Sequence, residues 1–184
     1  MSELTFFTYL NIILICSLIG FVIEDTWLVI RCGYFDNRNM NLPFLLGYGI
    51  AVVLFYKLLG VPGDFPDLKY FLCVFVMVSL GEIMLGTTVE KLCHIYYWDY
   101  SSLPFHVTRY TSLFTSLGFA LIITLFMRYC FPVLSVFLLR HETVPVKIIS
   151  VAGCIALLID YFYSFHQMAK THSLYCKWRV ERFI

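Results

Sequence analysis

The chain has 184 residues, 60% of them hydrophobic and 14% charged, with a formal net charge of +1. Soluble domains carry about a quarter charged residues, and a soluble fold of this length leaves too much surface wet to hide so much apolar side chain. A near-neutral chain offers no basic field for nucleic acid. What remains is an integral membrane protein whose first partner is the lipid bilayer.

About 20 mostly apolar residues cross the hydrocarbon, and the pattern predicts five such spans. The first, 5–30, is uncharged until Glu24 and Asp25. It lacks a basic n-region and a small-residue cleavage site, so it is expected to be retained. The second covers 42–59 and ends before the turn Val61-Pro-Gly-Asp-Phe-Pro66. The third covers 70–94. The fourth covers 110–127, where Arg128 and Pro132 close it, and Val133 to Leu139 is too short to span and reads as interfacial. The fifth covers 146–168 and leads into a basic tail with Lys170, Lys177, Arg179 and Arg182. No repeat or linker divides the chain, so one all-α transmembrane helix bundle over 1–184 is expected. Seven scattered cysteines form no Cys-x-x-Cys pair, and neither a disulfide framework nor a zinc site is indicated.

The Lys/Arg bias of the loops sets orientation. It places the tail in the cytoplasm and the N-terminus outside, with Arg31, Arg38, Lys91 and Arg109 on cytoplasmic connections.

The polar groups inside these spans are the functional lead, because a carboxylate at membrane depth must be paired, protonated or wetted. Residues four apart share a helix face, so Glu82, Gly86, Glu90 and His94 make one stripe. Glu82 lies about 18 Å along the helix from Tyr70, near the bilayer centre, and Glu90 lies near its cytoplasmic end. Arg38 can reach Glu90 from its loop. Glu24 and Asp25 approach the same side, and Asp160 lies inside the fifth span. Trp27 and the group Tyr96, Tyr97, Trp98 and Tyr100 read as interfacial aromatic belts. The candidates for a polar cavity open to the cytoplasm are therefore Glu24, Arg38, Glu82, Glu90, Trp98, Asp99, Tyr100 and Asp160. The same residues suit salt bridges that fix the loops. Glu90-x-x-x-His94 supplies only two ligands, too few to indicate a metal, and no cofactor is called for.

The motif order resembles the CmpB-type family described as "putative ABC-transporter type IV", small bacterial membrane proteins with vertebrate relatives. The likeness runs from Gly20 to Gly118. Glu24 matches an acidic residue late in the first helix, and Asn37-Arg38 and Pro43-Phe-Leu-Leu-Gly-Tyr48-Gly49 match in part. Glu82, Glu90-Lys91, Trp98-Asp99-Tyr100-Ser101 and Leu103-Pro104-Phe105 match closely. Asn39 stands where the family has glycine, one expected proline is missing from the second motif, and His106 stands where asparagine is usual. The resemblance implies a transport role in a multi-pass cell membrane, of the bacterial plasma-membrane type. The chain carries no Gly-x-x-x-x-Gly-Lys-Ser/Thr phosphate loop, so the ATPase step needs a separate subunit.

Three functions are expected to compete. The first is a permease or transport-associated subunit, with Glu82 and Glu90 lining its route. The second is a membrane enzyme acting on a lipid, in which a glutamate is the acid or base and Arg38 or Arg109 holds a head group. It has no nucleophile or metal constellation behind it. The third is a non-catalytic assembly subunit. Ser112-x-x-x-Ser116 is a small surface for close helix approach, open to a neighbour within the chain or to a second subunit, and a homodimer is expected because five helices enclose little volume.

Overall fold

A computed structural model describes residues 4–63 and 66–181. The Asp64-Phe65 part of the expected turn and Arg182 of the basic tail lie outside the described residues. Among those described, helix α1 spans Phe6–Cys32, α2 Leu46–Leu59, α3 Leu68–Cys93, α4 Leu113–Leu125, α5 Phe131–Arg140 and α6 Val144–Thr171. A π turn at Phe126–Cys130 joins α4 to α5, giving one apolar helix over Leu113–Arg140. With α1, α3 and α6 it makes four helices long and apolar enough to cross a membrane, and α2 is a shorter apolar fifth. The chain is a multi-pass, all-α membrane protein.

The chain's own chemistry sets the helix ends. Thr5 caps α1 by accepting from the Thr8 N–H at 3.1 Å, and Asp67 caps α3 by accepting from the Tyr70 N–H at 2.9 Å. Such caps satisfy N–H groups that a helix start leaves unpaired. Both helices stop on a left-handed residue, Gly33 after α1 and His94 after α3. Gly33 adopts this geometry without strain, whereas His94 holds it at φ 56°.

Two expectations about spans need correction. The second helix starts at Leu46 rather than 42, because Pro43 and the carboxylate of Asp160, which takes the Leu42 N–H at 2.9 Å, hold that stretch out of helix. Val133 to Leu139 is not a separate interfacial segment. Pro132 lacks an N–H and crowds the carbonyl four residues back. The π turn just before it widens the helix, with the Phe131 N–H reaching back to the Phe126 carbonyl. The helix therefore passes its proline instead of stopping there.

The chain divides into two compact units. The first comprises Met1–Leu54, Leu134–Met168 and Leu174–Ile184. In it α1 meets α2 through two glycines. A Cβ on Gly20 would lie 2.3 Å from the Tyr48 ring, and one on Gly49 would lie 2.3 Å from the Ile13 carbonyl. Strand β1, Tyr34–Asp36, pairs antiparallel with the chain's last described strand, Arg179–Glu181. The second unit comprises Phe55–Val133 and Ala169–Ser173, and its centre is α3 against α4. There β2, His106–Thr108, and β3, Thr111–Ser112, form a small hairpin.

Hydroxyl side chains pack inside both units. Thr8, Ser17, Ser150 and Ser164 are buried in the first, as are Ser116 and Thr124 in the second. Outer positions such as Ile148, Ile159, Met84 and Leu92 are more than half exposed. That inversion suits lipid, where small polar residues bring helices together and apolar ones face the hydrocarbon.

Candidate functional site

The α3 stripe points at the loop that follows the same helix. Glu82, Gly86 and Glu90 succeed one another at i and i+4, so they line one face. At the middle of that face a Cβ on Gly86 would lie 2.3 Å from ring carbons of Tyr110. The space left by the missing side chain is filled by that ring.

One turn further, the Tyr110 hydroxyl donates to Glu90 at 2.5 Å. Burial, with the Glu90 carboxylate adding to it, pushes the Tyr110 hydroxyl up to about 12. The phenol therefore keeps its proton and acts as a donor. The Trp98 indole N–H donates to the Tyr110 carbonyl at 2.9 Å, and the two rings meet edge to face. Trp98, expected as an interfacial belt, also buttresses this tyrosine.

One turn back, Glu82 accepts from the hydroxyls of Thr111 and Ser116, both at 2.9 Å, and those hydroxyls are 2.8 Å apart. Thr111 and Ser116 are buried. Ser112 caps α4 and donates to the Pro104 carbonyl. Of the two users expected for the small pair, the neighbour within the chain engages both serines.

Loop 94–112 is braced by its own charges. Asp99 accepts from the Ser101 N–H at 2.8 Å and lies 3.8 Å from Arg109. The Ser101 hydrogen bonds, then Arg109, hold its carboxyl below the usual range. Tyr100 donates its N–H to the Arg109 carbonyl at 2.8 Å, and the Arg109 guanidinium lies 3.9 Å from the centre of the Tyr96 ring. His94, half of the two-ligand pattern, ends α3 and meets the His172 ring at 5.1 Å. Among the described residues, no three His, Cys, Asp or Glu side chains are grouped to hold a metal.

The first unit gathers the other candidates. Glu24 accepts from the Tyr48 hydroxyl at 2.5 Å and from Arg38 at 3.1 Å. Arg38 also lies 3.8 Å from Asp36, so the guanidinium expected to serve Glu90 sits on Glu24 and Asp36. Asp25 accepts the Asp36 N–H at 3.2 Å.

Asp160 is the anchor of the loop before α2. It accepts from the Asn41 N–H, the Leu42 N–H and the Asn41 amide. Asn37, almost fully buried, donates to the carbonyls of Met40 and Tyr175 and accepts the Lys177 N–H. The residues that sequence reasoning missed are therefore the neutral partners: Tyr48, Tyr110, Thr111, Ser116 and Asn41. Their signal was position. Asn41 directly precedes Leu42-Pro43-Phe44, Tyr48 follows it at the start of α2, and Tyr110, Thr111 and Ser116 follow Leu103-Pro104-Phe105 at the entry to α4.

A family model described as "putative ABC-transporter type IV" matches residues 11–165. That range holds Glu24, Tyr48, Glu82, Glu90, Tyr110 and Asp160. No curated protein and no solved structure matches the chain significantly.

Proposed function

Because the chain belongs to the putative ABC-transporter type IV family, we propose that it is the membrane subunit of a transport system whose ATPase is a separate chain. The observation that carries this reading is Glu82. Its carboxylate lies inside an apolar helix and accepts from neutral hydroxyls of Thr111 and Ser116. A carboxyl held this way exchanges protons or partners at little structural cost, because a hydroxyl can donate or accept. Intramembrane acids of this kind mark pathways more often than they serve packing. In this reading Glu24, Arg38, Glu90, Trp98, Asp99, Tyr100 and Asp160 shape the polar entrance, and both loops face the cytoplasm of a cell-membrane protein.

The test is purification of the tagged full chain from its host's membranes in mild detergent. ATP hydrolysis should co-elute with it, and Glu82→Gln should lower turnover without changing the amount of complex. A chain that elutes with no ATP hydrolysis overturns the reading.

A second reading is a non-catalytic assembly subunit. It is favoured by how tightly Asp160 and Asn37 hold the first loop. In that case Glu82→Gln leaves the turnover of the co-eluting ATPase unchanged.

A further inference from the structure

We infer that α1, its loop and the start of α2, and α3, its loop and the start of α4, are tandem copies of one membrane module, and that Glu82 is an addition made only to the second copy. Each unit contains the same devices in the same order. In the first, α1 carries Gly20-x-x-x-Glu24. Its loop makes a turn on Asp36, which accepts the Arg38 N–H at 2.8 Å, runs through Leu42-Pro43-Phe44, and delivers Tyr48 to α2. In the second, α3 carries Gly86-x-x-x-Glu90. Its loop makes the same turn on Asp99, which accepts the Ser101 N–H at 2.8 Å, runs through Leu103-Pro104-Phe105, and delivers Tyr110 to the start of α4.

The atoms repeat as well as the order. Each tyrosine ring occupies the space that a Cβ on its glycine would take, with the nearest carbon at 2.3 Å in both units. Each hydroxyl donates to the glutamate one turn on, at 2.5 Å in both. A ring lying flat against a helix needs a glycine beneath it, and its hydroxyl then falls one turn away. One geometric solution is used twice. The loops differ in length, with the tyrosine 24 residues after its glutamate in the first unit and 20 in the second.

The register isolates what is not shared. Cys16, buried, stands as far before Glu24 as Glu82 stands before Glu90. Gly49 follows Tyr48 as Thr111 follows Tyr110, and a Cβ there would lie 2.3 Å from the Ile13 carbonyl. The first copy closes its helices here backbone to backbone, with the Ser17 hydroxyl beside the contact. The second opens the same level and fills it with an acid and two hydroxyls.

The inference stands apart from any transport activity, and so does its test.

It measures thermal unfolding of the full chain carrying Gly20→Ala or Gly86→Ala, each alone and with Tyr48→Ala or Tyr110→Ala respectively. Each glycine change should lower the midpoint by several degrees when its tyrosine is present, and by much less when it is absent. Coupling in one unit and none in the other overturns the inference.

Discussion

The first unit and the second hold a helix glutamate by the same tyrosine clasp, yet they stabilise the loop between glutamate and tyrosine by different means. In the first, an arginine and a distant carboxylate do the work. Arg38 sits on Glu24, and Asp160 gathers the N–H groups of Asn41 and Leu42. In the second, the loop braces itself, with Trp98 on the Tyr110 carbonyl and Asp99 beside Arg109. The glutamate–tyrosine pair is indifferent to how its loop is supported. What it requires is a glycine under the ring.

The largest expected break is Asp160→Ala. It strips an acceptor from two backbone N–H groups, each costing about 1–3 kcal/mol when left buried and unpaired. Thermal unfolding in detergent should show a loss of about 3 kcal/mol or more, and a midpoint unchanged from wild type would remove Asp160 as the anchor. Tyr110→Phe and Tyr48→Phe come next. Each deletes a hydrogen bond to a carboxylate worth about 1.5–3 kcal/mol, and the two losses should be alike if the clasps are equivalent.

Trp98→Phe should cost about 1 kcal/mol, the usual net worth of one neutral hydrogen bond. It should weaken the second unit alone, read as faster proteolysis of loop 94–112 with loop 33–45 unaffected.

The smallest effect is on pH. Glu142, before α6, accepts from Thr5 and from Thr8 and pairs with Lys147 at 3.1 Å. The Thr5 hydrogen bond, then Lys147 and Thr8, hold its carboxyl below the usual range. A depressed carboxylate contributes stability above the unfolded value, about 4.3 for Glu, and loses it as pH falls through the folded value. Glu142→Gln should therefore flatten the decline in unfolding midpoint between about pH 5 and 3. A slope identical to wild type would dismiss the contribution.

The helices were legible because hydropathy and length suffice to place them. The fate of Pro132 was not legible. A proline after an arginine reads as a stop, and only the π turn explains why it is not one. Strands of three residues, such as Tyr34–Asp36, carry too few alternations to register as a pattern. At the candidate site the acids drew attention because charge is costly in lipid. Their partners are tyrosine, threonine, serine and asparagine, residue types common enough in membrane helices to pass as packing. Leu-Pro-Phe occurs twice, before Tyr48 and before Tyr110, and it was visible in the sequence all along. Searching for similarity by helix hides it, because the repeated part is largely loop.

The pairing of Tyr34–Asp36 with Arg179–Glu181 has a consequence for biosynthesis. The ribosome makes the first strand with almost the entire chain still to come, and its partner emerges only after α6 has been synthesised. Asn37, whose amide awaits Tyr175 and Lys177, is in the same position. During insertion, then, the segment after the first helix must wait with its backbone hydrogen-bonded to water, and only the arrival of the last strand closes it. The first loop to be translated is among the last to be finished.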